Sequence, residues 1–162
     1  MVVYQGIFFE EETEDFIRSL EKNKLPIKVR NLHCTLKIHP NNSEVFDDIV
    51  GEEVEVLLKG YGCDGKNSGF EVVLPDYVKE YYMNYDESGE LKTPHIKTSL
   101  IKDAGAMDVK NMDFEPLSEP YVIKGRFGYC IGGRSNTFLS FFPQIDLQKA
   151  RKRVRKWCNG YY

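Results

Sequence analysis

Two stretches constrain the fold more than any others: His33-Cys34-Thr35-Leu36 and its echo, His95-Ile96-Lys97-Thr98-Ser99-Leu100. Along a β-strand, side chains two residues apart point to the same face. The first stretch therefore sets His33, Thr35 and Lys37 on one side and Leu32, Cys34, Leu36 and Ile38 on the other. In the second, His95, Lys97 and Ser99 share a side, and Ile96, Thr98 and Leu100 take the opposite one. Each strand has an apolar face to bury and a polar face carrying an imidazole. When two such polar faces meet across a cleft, both imidazoles look into one pocket, with hydroxyls and an ammonium beside them. The remaining sequence reads as the scaffold for that pocket.

Residues 2–9 are largely β-branched or aromatic and predict a strand. Residues 10–24 place Phe16, Ile17 and Leu20 at helical spacing behind an acidic first turn, an amphipathic helix ended by Pro26. Residues 29–38 form the first histidine strand, stopped at His39-Pro40. A short helix follows, capped by Asn42 or Ser43, with Val45, Phe46, Ile49 and Val50 as its apolar stripe. Residues 53–61 and 70–74 are strands joined by a glycine-rich hairpin turn. Residues 76–92 are tyrosine-rich and ambiguous, with a turn at Ser88-Gly89; residues 93–101 are the second histidine strand. A loop over 104–113, strands over 120–131 and 136–142, and a helix over 145–157 complete the chain. Strands joined by hairpins, with helices between them, predict an α+β fold. The expected architecture is two similar lobes of mainly antiparallel sheet around a central cleft, with helices packed outside.

The chain of 162 residues suits a single domain over 1–162, long enough to bury a real core. A net charge of −3 excludes a globally basic nucleic-acid binder, so any such contact needs a local patch. No run approaches the roughly 20 apolar residues of a membrane span, and no signal peptide is recognisable at the N-terminus. Cys34, Cys63, Cys130 and Cys158 form no Cys-x-x-Cys pair, so reduced thiols and a cytoplasmic setting are expected. A monomer is favoured.

Gly60-Tyr61-Gly62-Cys63-Asp64-Gly65 fits G-x-G-x-x-G, and Gly60 to Asn67 nearly fits a phosphate-binding loop. Such loops feed a helix N-terminus, whereas strand-like Phe70-Glu71-Val72-Val73-Leu74 follows here, so the stretch reads as a plain turn. Lys149, Arg151, Lys152, Arg153, Arg155 and Lys156 read first as a solvated helix face and second as a basic edge for a nucleotide backbone. His39, before a proline, reads as structural. His33 and His95 occupy the same place in similar strand patterns, which favours a shared functional role over two separate structural ones. A metal site is disfavoured because Thr35 and Lys97 are not metal ligands and no third ligand sits at suitable spacing.

The ordered pair His33-Cys34-Thr35-Leu36 and Pro94-His95-Ile96-Lys97-Thr98, with the strand Val54 to Gly60 between, resembles the two-histidine (2H) phosphoesterases. The resemblance spans the chain from the first strand to about Phe142. It implies hydrolysis of a cyclic phosphate or a 2′-5′ phosphodiester in an RNA end or small nucleotide, with no metal or other cofactor. His33 and His95 would be the general acid and base. Thr35, with Lys97, Ser99 or Thr98, would bind the substrate's phosphate. The second motif departs from the family pattern at Lys97, where a threonine or serine is usual. A bulge would re-aim Thr98 toward the site, and the lysine itself would offer a charge-assisted phosphate contact. The alternative is a non-catalytic phosphate or RNA binder of the same fold. A small interaction domain, with its histidines merely in a polar groove, is the third reading.

Overall fold

The computed structural model describes residues 2–38, 49–104, 112–132 and 138–141. These form the strands β1 (Val2–Phe8), β2 (Ile27–Lys28), β3 (His33–Ile38), β4 (Glu53–Cys63), β5 (Asn67–Val73), β6 (His95–Leu100), β7 (Glu115–Gly132) and β8 (Phe138–Phe141), and the helices α1 (Glu11–Ser19) and α2 (Asp76–Lys79). Every strand pairing among the described residues is antiparallel. Hydrogen bonding runs β1-β3-β6-β5-β4-β7, and β7 returns to β1, closing six strands into a barrel. Closure removes the exposed edges that an open sheet would present. The mainly antiparallel sheet agrees with expectation. The balance of an α+β fold does not: among the described residues the helices have only nine and four residues, and sheet dominates. The strands also do not part into two separate sheets, because β1 pairs with both β3 and β7 and so ties the halves into one ring.

One face of the ring forms the core. Ile7, Cys34, Leu36, Val54, Val56, Leu58, Phe70, Val72, Ile96, Ile123 and Phe127 alternate along their strands into a single cluster, joined by Ile17 of α1 and Val78 of α2. Gly125 belongs to that face by necessity, since a Cβ there would collide with Ile7 and Phe9. Burial of this kind is worth roughly 25 cal/mol per Å² of apolar surface and is the main force holding the ring closed.

Three local departures from the expected elements have visible causes. The first histidine strand begins at His33, not at 29, because Asn31 takes a left-handed backbone with φ 53. Helix α1 stops at Ser19, well before Pro26. Beyond it, the Asn23 amide donates to the Tyr61 hydroxyl (2.9 Å) and the Leu25 amide to the Ser99 hydroxyl (2.9 Å), bonds that draw the chain off the helix axis. Strand β7 starts earlier than expected and contains Pro116 and Pro120. Pro120 is tolerated because the ladder to β4 skips from Pro116 to Tyr121, looping residues 117–120 out, and Pro116 stands opposite Gly60 at the edge of that irregularity.

The glycine-rich stretch is the expected hairpin turn. Asp64 accepts the Lys66 and Asn67 amides through its carboxylate (2.8 and 2.7 Å), and Gly65 sits at φ 84. The short helix after Pro40, except its last residues, the structural reading of His39, and the basic helix over 145–157 lie outside the described residues. Among the described residues, no helix is long and apolar enough to cross a membrane.

Candidate active site

The two histidine strands touch at one ladder position, where Cys34 lies opposite Ile96. Antiparallel pairing then sets His33 beside Lys97 and Thr35 beside His95. All four are half-buried, while their strand neighbours Cys34, Leu36 and Ile96 point into the core. Two imidazoles, a hydroxyl and an ammonium from the predicted set thus come together on one face.

The two rings are held by the same device. His33 Nδ1 donates to the carbonyl of Asn31 (3.0 Å), and His95 Nδ1 donates to the carbonyl of Thr93 (2.8 Å). A carbonyl only accepts, so Nδ1 carries the hydrogen and each neutral ring keeps its lone pair on Nε2. His33 is further stacked against Tyr4 (ring centroids 4.7 Å apart) and Phe8 (5.6 Å), both from β1. Burial holds the His33 pKa below its ordinary value, with the Lys97 charge adding to the effect against the Asn31 hydrogen bond. Burial likewise pushes His95 down, to about 4, helped by Lys97, Lys92 and His33. Each imidazole therefore prefers its neutral form.

Thr98 and Ser99 are not with them. Gly69 pairs with Lys97 and Ser68 with Ser99, so Thr98 is an extra, bulged residue on β6. The bulge reverses the alternation beyond it. Thr98 and Ser99 (2.7 Å) donate to the carboxylate of Glu21, as does Ser68 (2.9 Å), and Tyr61 bonds Ser68 (2.6 Å). This buried network anchors the segment after α1 to the barrel and takes both residues away from the imidazoles.

Sequence reading missed Tyr4 and Phe8, whose partnership with His33 depends on strand order. It also missed the shallow crease beside His95 and Lys97, which Ser68, Gly69, Met112 and Phe114 line. Glu71, opposite His95 on β5, lies 3.9 Å from the Lys59 ammonium. Among the described residues, no three His, Cys, Asp or Glu side chains gather as a metal centre requires. No protein-family profile and no curated protein sequence matches this chain.

Proposed function

We propose that this protein is a 2H-type phosphodiesterase that hydrolyses a cyclic phosphate or a 2′-5′ linkage in an RNA end or small nucleotide, by acid–base catalysis shared between His33 and His95. The observation that carries the reading is the Cys34–Ile96 register, which sets both imidazoles, Thr35 and Lys97 on one face. In this reading the two histidine strands line a cleft between related halves of the ring. His95, neutral down to about pH 4, takes a proton at Nε2 from water or from a ribose 2′-hydroxyl. The attacking oxygen forms its bond to phosphorus as the bond to the departing ribose oxygen breaks. His33, in its protonated form, gives that oxygen its proton. Thr35 and the Lys97 ammonium hold the non-bridging oxygens and stabilise the charge that gathers on them. The reading is of a monomer in the cytoplasm.

One observation favours a second reading, a phosphate or RNA binder without turnover. Both imidazoles are held toward neutrality, so the acid form is scarce at pH 7 and Lys97 dominates the site's charge. Incubation with nucleoside 2′,3′-cyclic phosphates in EDTA separates the two. Turnover lost in both His33→Ala and His95→Ala supports the enzyme. Nucleotide binding without turnover supports the binder. Absence of any nucleotide affinity refutes both.

A further inference from the structure

Glu14 of α1 is half-buried, and its Oε1 accepts the backbone N–H of Leu32 (2.8 Å). One turn further along the helix, Arg18 donates to the carbonyl of Val29. Two side chains on one face of α1 therefore hold the segment that leads into β3. The Glu14 bond falls on a particular peptide group. Leu32 N–H and Asn31 C=O belong to the same planar unit, and in a trans peptide they point in opposite directions. That carbonyl is the one that accepts from His33 Nδ1 (3.0 Å). A carboxyl on one side and an imidazole on the other are thus joined through a single rigid group.

His95 has the matching bond with a different support. Its Nδ1 donates to the Thr93 carbonyl (2.8 Å), and the peptide that carries this carbonyl continues into Pro94. Proline has no N–H to hold, and its ring fixes φ at about −65° instead. The Pro94 carbonyl in turn accepts the Val72 amide (2.9 Å). Leu32, at the equivalent place before His33, has no such ring, and Asn31 takes the left-handed φ of 53. The bond from α1 supplies at His33 the restraint that the proline ring supplies at His95.

We propose that Glu14 is a positioning residue for His33: by fixing the Asn31–Leu32 peptide, it keeps the hydrogen on Nδ1 and leaves Nε2 for the reacting phosphate. The inference rests on the proposed function, in which His33 gives a proton from Nε2 to the departing oxygen. Burial pushes the Glu14 carboxyl up to about 7 against the Leu32 amide and the Arg18 charge, with Asp15 and Glu11 adding to the rise. Both its forms therefore occur near neutrality, and each keeps an oxygen that accepts the Leu32 N–H. The role is one of geometry rather than of charge. The Asn31 bond also favours the protonated His33 ring against burial and the Lys97 charge, so its loss weakens the acid.

The test follows both rings through the NMR shifts of their nitrogens at about pH 8, where each is neutral, in wild type, Glu14→Leu and Glu14→Gln. Glutamine keeps an Oε1 acceptor and leucine does not. Glu14→Leu is expected to shift the His33 nitrogens toward a mixture of tautomers, while His95, supported by Pro94, stays as in wild type. Glu14→Gln should match wild type at both rings. Against a nucleoside 2′,3′-cyclic phosphate, Glu14→Leu should lower kcat and kcat/KM together, about tenfold to a hundredfold, and Glu14→Gln should restore them. An unmoved His33 in Glu14→Leu overturns the inference. So does a shift of both rings together, which marks a general loosening of the fold, and so does a Glu14→Gln shift as large as that of Glu14→Leu. If leucine prevents folding, Glu14→Asp, one methylene too short for the bond, takes its place. Wild type without turnover refutes the phosphodiesterase reading, and the positioning role is then decided by the NMR comparison alone.

Discussion

His95 imposes a pH dependence on folding whose sign and window follow from its surroundings. Burial, then Lys97, Lys92 and His33, hold it at about 4 in the folded state; an unfolded histidine titrates near 6.5. The folded pKa is the lower one, so the unfolded chain binds more protons between the two values. Stability is therefore fully present above about pH 6.5 and is lost as pH falls toward 4. A difference of about 2.5 pKa units corresponds to about 3 kcal/mol in all, and about 2 kcal/mol of it is gone by pH 5. Glu14 opposes this. Burial pushes its carboxyl up to about 7 against the Leu32 amide it accepts and the Arg18 charge, so its contribution grows as pH falls from about 7 toward 4.5. The two effects have opposite signs, so each is read from its own variant against wild type. The assay is urea unfolding of wild type and His95→Gln at about pH 7.5 and about pH 5. The variant should gain about 2 kcal/mol on wild type between the first pH and the second. A stability difference that stays constant across that range refutes the assignment. Glu14→Gln, treated alike, should lose stability relative to wild type over the same interval, by less than the His95 effect because solvent screens the partly exposed carboxyl.

Three further outcomes are expected. Lys97→Thr should retain or raise turnover and move the pH optimum about half a unit to one unit upward, because both imidazoles lose a repelling charge; an inactive, folded variant makes the ammonium indispensable. Glu21→Ala should cost about 3 kcal/mol in urea unfolding, since three buried hydroxyls lose their acceptor; a loss below about 1 kcal/mol contradicts the network's anchoring role. Tyr4→Leu removes the ring 4.7 Å from His33 and should raise the His33 pKa toward 6.5, followed by its NMR titration; no movement means that the stack does not shield the ring.

What the sequence disclosed was whatever alternation alone decides. Leu32, Cys34, Leu36 and Ile96 are buried as their parity demands, though Ile38 at the end of its strand is exposed and Leu100 only partly covered, and Asp64 and Gly65 make the hairpin turn their identities suggest. His33, Thr35, His95 and Lys97 share a face because nothing interrupts the two-residue period between them. Beyond Lys97 that logic failed: the bulge at Thr98 is set by pairing with β5, and no residue of β6 announces it. A bulge was foreseen as a way to bring Thr98 to the imidazoles, whereas here it delivers Thr98 to Glu21. The Tyr4 and Phe8 stack was hidden for a related reason, since β1 becomes a neighbour of β3 only when the chain crosses back through α1. Ring closure between β1 and β7 joins residues more than a hundred positions apart and leaves no local trace.

The joint between β3 and β6 consists of a single rung, Cys34 with Ile96, whereas β4 and β5 share six. A hoop gives first at its weakest stave, and in this barrel that stave stands between the two rings proposed to do the chemistry. Opening of that one rung would change the gap between His33 and His95 while the six rungs of the β4–β5 pair hold. The amide protons of Cys34 and Ile96 should accordingly exchange with solvent ahead of those along the β4–β5 hairpin.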